Sequence, residues 1–572
     1  MGAISTVDRV TAPPDEGPRE GPRRAAGGRA RLGRWRYSLP GLWAALIFVC
    51  LSLTPSLLPR SGVTQGLVCG ISAAIGYGLA VGERAPDPGG NDPEARVARA
   101  RSWHVLGVVG GVALVVALAL GRYWQGQIRA LMGIPGEGLA SLVVVPVLAA
   151  VTFAALVGVS RLLRRLYRWL AGALARWIGP RAARAVGWAT VVLATALVVS
   201  GVVLDGLVSL ADEAFSVRNG GTDEGVVRPT APERSGSPPS LAAWDSLGRE
   251  GRNFSAKGPT PAQISAYTGA PAPLPVRAYA GLDSAATAEE RARLAVDDLA
   301  RAGGFQRATL VVITTTGSGW VDPAAIDTIE YITGGDTAAV TIQYSYLPSW
   351  ISYLVDQERA REAGRALFDA VYDRWTDLPP GERPRLVVAG ESLGSFGAET
   401  AFSGEYDLRN RTEGIVFAGP PNFNELYREF VDGRVPGTSE VAPVYQDGRT
   451  VRFTADPSTQ IAPAAVPWPG ARVLYVQHAS DPIVWWSPKL ILQRPDWLAE
   501  PRGADVVDAV IWIPFVTFWQ VTADLPFAVG VPVGHGHVYI PEYVDAWATV
   551  LQPPGWTEER AQRLRAIVSP GG

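Results

Sequence analysis

Apolar positions fall in two regimes along this chain. Up to about residue 215 they form long, nearly uncharged blocks at 38–58, 62–82, 103–121, 139–160 and 187–207. A helix needs about 20 such residues to cross a hydrocarbon core about 30 Å thick. The blocks therefore predict an all-α transmembrane bundle of about five spans. The segment 161–179 alternates arginines with apolar residues at helical spacing, which predicts a helix lying along the membrane surface. Asp205 is the nearest ionisable group to a span interior, so anchoring or scaffolding is expected of the bundle rather than transport.

Beyond residue 240 the apolar runs are short and rich in Val, Ile and Leu. The runs containing "ATLVVITTTGSG", "AAVTIQYSY", "RLVVAG", "EGIVFAGP" and "ARVLYVQHAS" read as strands. Segments such as "DQERAREAGRALFDAVYDRW" and "EYVDAWATVL" between or after them read as helices. Continuous apolar strands alternating with helices predict a mostly parallel sheet covered on both faces. The expected organisation is a basic tail at 1–37, the membrane region at 38–215, a flexible Gly/Pro/Ser-rich linker at 216–240, and an α/β domain at 241–572.

Charge placement adds an orientation. The tail and the loops after spans two and four carry nineteen arginines; the alternate loops carry Arg60, Arg122 and Arg129. Basic loops stay cytoplasmic, which predicts a cytoplasmic N-terminus in the plasma membrane and an α/β domain outside. The net charge of −2 gives no reason to expect nucleic acid as a partner. Two cysteines, Cys50 and Cys69, both in apolar blocks, and four histidines support neither a disulfide framework nor a metal centre. No cofactor is expected.

The chemistry concentrates in "LVVAGESLGSFGAET", residues 386–400. Glycine makes up 63 of 572 residues, so Gly-x-Ser-x-Gly alone is a weak signal. Its position between an apolar strand and a small-residue helix is what a nucleophile elbow requires, which makes Ser392 the candidate nucleophile. A serine hydroxyl needs a base and an orienting acid, expected in the order Ser, Asp or Glu, His. Asp481 follows the late strand in "ARVLYVQHASDPIVWW"; Asp456 and Asp496 follow no strand directly. "VPVGHGHVYIPEYVDAW" offers His535 and His537, with His537 slightly preferred and His535 a pocket group. His478 lies within a strand and reads as structural, and His104 borders span three. The oxyanion donors are expected at the amide of Leu393 and in the loop holding Thr316, Gly317 and Ser318.

The stretches "TTTGSGWVDP", "QYSYLPSWIS", "GESLGSFGAE", "SDPIVWW" and "GHGHVY" resemble the membrane-bound alpha/beta-hydrolase family of actinobacteria. That resemblance implies an alpha/beta-hydrolase domain acting through a Ser-His-Asp triad on an unassigned substrate. The expected activity is ester or thioester hydrolysis of a membrane lipid or envelope component. Acyl transfer with the same triad and a non-catalytic scaffold are the alternatives. The aromatic runs at 344–355, 482–488 and 509–519 are expected to rim an acyl-chain pocket, the last as a lid.

Overall fold

Proline placement sets the first departure from the expected spans. Pro55 and Pro59 lack the amide hydrogen that would continue a helix. Helix α1 (Leu39–Ser52) therefore stops after 14 residues, and 53–61 becomes a connector to α2 (Gly62–Val81). The structure, a computed structural model, describes residues 37–81, 93–197 and 205–569, apart from 460, 462, 464 and 465. Helices α3 (Pro93–Leu131), α4 (Ser141–Ile178), α5 (Pro180–Leu197) and α6 (Asp205–Gly220) complete the N-terminal region.

Three of its helical stretches, Gly62–Val81, Arg101–Leu131 and Ser141–Ile178, are long and apolar enough to cross a membrane. On α3, Val108, Val112 and Val115 are more than half exposed, as are Val143, Val147 and Val151 on α4. So much contiguous apolar surface signals association with a membrane or partner. Five spans are not all seen: α1 is shorter than the roughly 20 residues a crossing needs, and the fifth expected span includes 198–204, outside the described residues. Most of the basic tail lies outside them too. The stretch 161–178 does not turn onto a surface; its Arg, Leu and Ala residues favour helix and continue α4 unbroken.

The second half folds around seven parallel strands: β1 (Val276–Ala280), β2 (Thr309–Thr314), β3 (Thr337–Ile342), β4 (Arg385–Glu391), β5 (Gly414–Ala418), β6 (Val451–Thr454) and β7 (Arg472–Val476). Their order is β1-β3-β2-β4-β5-β7-β6. The chain steps outward from β2 to β3, then returns past it to β4, so the strand order reverses between β2 and β4. Ligand crevices in open α/β sheets lie at such a reversal, outside the carboxyl ends of the strands. Edge strands β1 and β6 each carry an arginine in mid-strand. Buried Arg277 bridges to Glu330 and Asp327, at 2.7 and 2.6 Å, and Arg452 donates to the carbonyls of Gly448 and Val466.

The stretch read as a linker is partly built into this domain. Ser235 accepts from the Tyr279 amide and donates to Asp298, while 233–235 exchange backbone hydrogen bonds with Arg277 along the open edge of β1. Covering an exposed strand edge protects it from stray pairing. It also leaves little of 233–240 free to act as a tether.

The connector 53–61 joins the two halves. Leu57 and Leu58 are buried in the same apolar core as Ile128, Met132, Val521 and Leu525. Asp524, at the end of the helix Val516–Asp524, accepts from the Ser56 hydroxyl and from Arg60 Nε, the latter at 2.9 Å. Gln520 of that helix donates to the carbonyls of Thr54 and Ser52. Removing one partner of a buried pair strands the other charge, at a cost of about 3–5 kcal/mol. Asp524→Ala should therefore lower full-chain stability by about that much in thermal unfolding. Asp496→Ala, which removes an exposed partner of Arg434, should cost about 0–1 kcal/mol. Equal losses would contradict this account of the joint.

Candidate active site

The Gly-x-Ser-x-Gly segment forms the turn its flanks predict. β4 ends at Glu391, Ser392 takes φ 53° and ψ −128°, and the helix Leu393–Glu399 starts at once. A non-glycine residue at positive φ costs about 1–3 kcal/mol and persists only where its surroundings impose it. Here the flanking glycines permit close packing. A Cβ on Gly390 would lie 2.5 Å from the Gly394 backbone, and one on Gly394 would lie 2.3 Å from the Thr314 carbonyl oxygen. The Ser392 amide is tied to the neighbouring strand through the Ala418 carbonyl, at 2.9 Å.

Asp481 follows β7 and caps the short helix Pro482–Trp485, its Oδ1 accepting from the Ile483 amide at 2.8 Å. Its Oδ2 receives His537 Nδ1 at 2.6 Å and the Tyr539 hydroxyl at 2.7 Å. The carboxylate is wholly buried. Burial opposes the charged imidazole of His537, but Asp481, then Glu391, outweigh it and hold the pKa above the ordinary 6.5. The His537 ring lies against Gly419, the residue after Ala418: a Cβ there would come 2.3 Å from Cε1. Ser392 and His537 thus meet adjacent residues, Ala418 at the end of β5 and Gly419 just beyond it. His537 Nε2 is buried and makes no hydrogen bond.

Of the two late histidines, His537 is the one on Asp481. His535 lies elsewhere: its Nδ1 is buried without a partner, and burial depresses its pKa. His478 is built into the domain, with Nδ1 2.9 Å from the Gly536 carbonyl, Nε2 3.4 Å from Glu542, and its ring stacked on Tyr539. Asp456 bonds locally to Ser458, and Asp496 pairs with Arg434 at the surface.

The donors expected for an oxyanion divide. Leu393 opens its helix, where the first amides have no intrahelical acceptor. The Thr316 amide is already bonded to the Trp320 carbonyl at 3.0 Å, and the Gly317 amide to the Tyr344 hydroxyl at 2.8 Å. This loop is a tight turn with its own internal hydrogen bonds, which removes both from the donor set in this conformation. The aromatic runs also divide. Tyr344, Tyr353 and Trp485 are buried in the core, whereas Trp486, Trp512, Phe518 and Trp519 are half-buried in or near the helix Val516–Asp524.

Comparison with known families is consistent with the parallel seven-stranded sheet. A model described as the alpha/beta-hydrolase family matches residues 276–564, and one described as that family's N-terminus matches 53–259. The chain belongs to the alpha/beta-hydrolase family. Neither curated proteins nor solved structures give a match. The N-terminal match begins at Leu53, the first residue of the connector, and family membership suggests hydrolase activity.

Three residues of this alpha/beta-hydrolase domain escaped the sequence reading: Glu391, Tyr539 and Tyr543. Glu391 Oε1 lies 3.8 Å from His537 Nε2, and Tyr543 donates to its Oε2 at 2.5 Å. Burial raises the Glu391 pKa against the lowering effects of His537 and Tyr543. Burial, and then Glu391, lift Asp322 to about 8. The signal available was a carboxylate closing an otherwise apolar strand, inside the motif itself. Because Glu391 helps raise the His537 pKa, Glu391→Gln should lower it, extending the neutral form to lower pH. A histidine-selective NMR titration of the full chain would show this. An unmoved or raised value would contradict the assignment.

Proposed function

We propose that the protein is a membrane-anchored serine hydrolase acting on an ester or thioester of a lipid or cell-envelope component. The observation that carries this reading is the buried Asp481–His537 pair 3.8 Å from Glu391, the residue before a serine held at an elbow. In this reading Ser392 Oγ attacks the acyl carbon while His537 Nε2 takes its proton, and Asp481 orients and stabilises the imidazolium. The Leu393 amide receives the negative charge on the former carbonyl oxygen. Collapse expels the alcohol or thiol, protonated by His537, and leaves an acyl ester on Ser392. Water, deprotonated by the same imidazole, then releases the acid and restores the serine.

Two observations support a membrane-side substrate. The α/β-hydrolase domain packs on the connector and on the end of α3, through Leu57, Leu58, Ile128 and Met132. These elements lie in the segments that hold Arg60, Arg122 and Arg129, against nineteen arginines in the tail and the loops after spans two and four, which supports an extracytoplasmic domain by the positive-inside rule. Half-buried Phe518 and Trp519 lie on the helix that meets the connector.

Ser392→Ala should abolish covalent labelling of the full chain by a fluorophosphonate; retained labelling would place the nucleophile elsewhere. His537→Gln should slow turnover by about 10⁴-fold and His535→Gln far less; equal effects would contradict the assignment of the base. For the substrate class, p-nitrophenyl esters from C2 to C8 should improve as the chain lengthens. The gain should approach fourfold per methylene if each is fully buried at about 0.8 kcal/mol. A flat or falling profile would favour a small polar ester.

A further inference from the structure

The three arginines of the sparsely charged side, Arg60, Arg122 and Arg129, line a single cavity of about 160 Å³ among α2, α3 and the start of α4. Leu118, Leu142 and Val145 form its apolar wall. Arg60 is fully buried; its Nε pairs with Asp524, its Nη1 donates to Gln65 at 3.2 Å, and its Nη2 has no partner. Arg122 donates only to the carbonyls of Glu137 and Gly138. Arg129 donates to those of Pro135 and Arg60, and its Nε is buried without an acceptor. Glu137, also on the rim, turns its carboxylate to the Gly62 amide at the start of α2, at 2.8 Å. Among the described residues no carboxylate forms an ion pair with Arg122 or Arg129.

Three guanidinium groups against the carboxylates of Asp524 and Glu137 leave one positive charge in excess. Two buried guanidinium nitrogens remain without an acceptor, and buried donors are rarely left so. Arginine's planar fork suits phosphate and carboxylate, and the apolar wall suits a hydrocarbon chain. We propose that this cavity binds an oxyanion, a phosphate or carboxylate, with the head of a membrane amphiphile as its favoured source. The site lies outside the Ser392 region and does not depend on the hydrolytic reading. Because Arg60 also holds Asp524, an occupant would bear on the joint between the two halves.

The test uses the full chain in detergent, titrated with dioctanoyl phosphatidylglycerol, dioctanoylglycerol and inorganic phosphate, with binding read by native mass spectrometry and thermal shift. Phosphatidylglycerol should bind about tenfold or more tighter than dioctanoylglycerol, the equivalent of one charge-assisted hydrogen bond. The double substitution Arg122→Gln and Arg129→Gln should erase that preference. Glu137→Gln, which keeps an acceptor for Gly62 but removes a negative charge, should strengthen it. Inorganic phosphate competing as well as the lipid would support the oxyanion site with a soluble source; weak competition would support the lipid source. Equal affinity for phosphatidylglycerol and dioctanoylglycerol, or a preference unchanged in both variants, would overturn the proposal. Glu137→Gln keeps the test valid should the double variant fail to fold.

Discussion

Everything at the candidate site converges on the Asp481 carboxylate. It is fully buried and takes donors from Ile483, His537 and Tyr539. A buried charge is tolerable only when its lone pairs are satisfied, so these three contacts must form together. Each belongs to a different part of the chain's last third: the turn after β7, the late histidine loop, and the residues before the helix Glu542–Leu551. The carboxylate therefore fixes His537 against Gly419, and so beside the elbow that β4 and its glycines create.

The histidine loop is also braced from outside the domain. Leu58 of the connector reaches it: a Cβ on Gly536 would lie 3.5 Å from Leu58 Cδ2. The His537 amide donates to the Ala528 carbonyl at 2.8 Å, one turn beyond the helix that holds Arg60 and Ser56 through Asp524. Trp486, in the acid loop, donates to Thr522 of the same helix at 2.8 Å. The acid and base loops are thus both secured to one helix, and that helix to the connector. An α/β-hydrolase domain separated from residues 53–61 would lose this bracing, so its reactivity is best measured in the full chain.

Much of this was legible because it follows from local pattern. The five inner and neighbouring strands β2, β3, β4, β5 and β7 are uninterrupted apolar runs, and the elbow is a strand, a turn and a helix in consecutive residues. Edge strands β1 and β6 were missed because Arg277 and Arg452 interrupt them, and the burial that makes each arginine tolerable comes from ion-pair or carbonyl partners outside the strand. The first span was read too long because Leu57 and Leu58 are as apolar as membrane residues, although they pack a protein core between two prolines, Pro55 and Pro59. Thr316 and Gly317 were plausible donors by position; only the turn's hydrogen bonds reveal that their amides are engaged. Glu391 and Tyr539 stood inside quoted motifs, but what they touch is set by tertiary packing.

The most direct measurement is a structure of the full chain after reaction with a fluorophosphonate. The account predicts phosphorus bonded to Ser392 Oγ, a phosphonyl oxygen within hydrogen-bonding distance of the Leu393 amide, His537 still on Asp481, and the connector docked on Asp524. An adduct on any other residue, or a reacted Ser392 with His537 parted from Asp481, would contradict it.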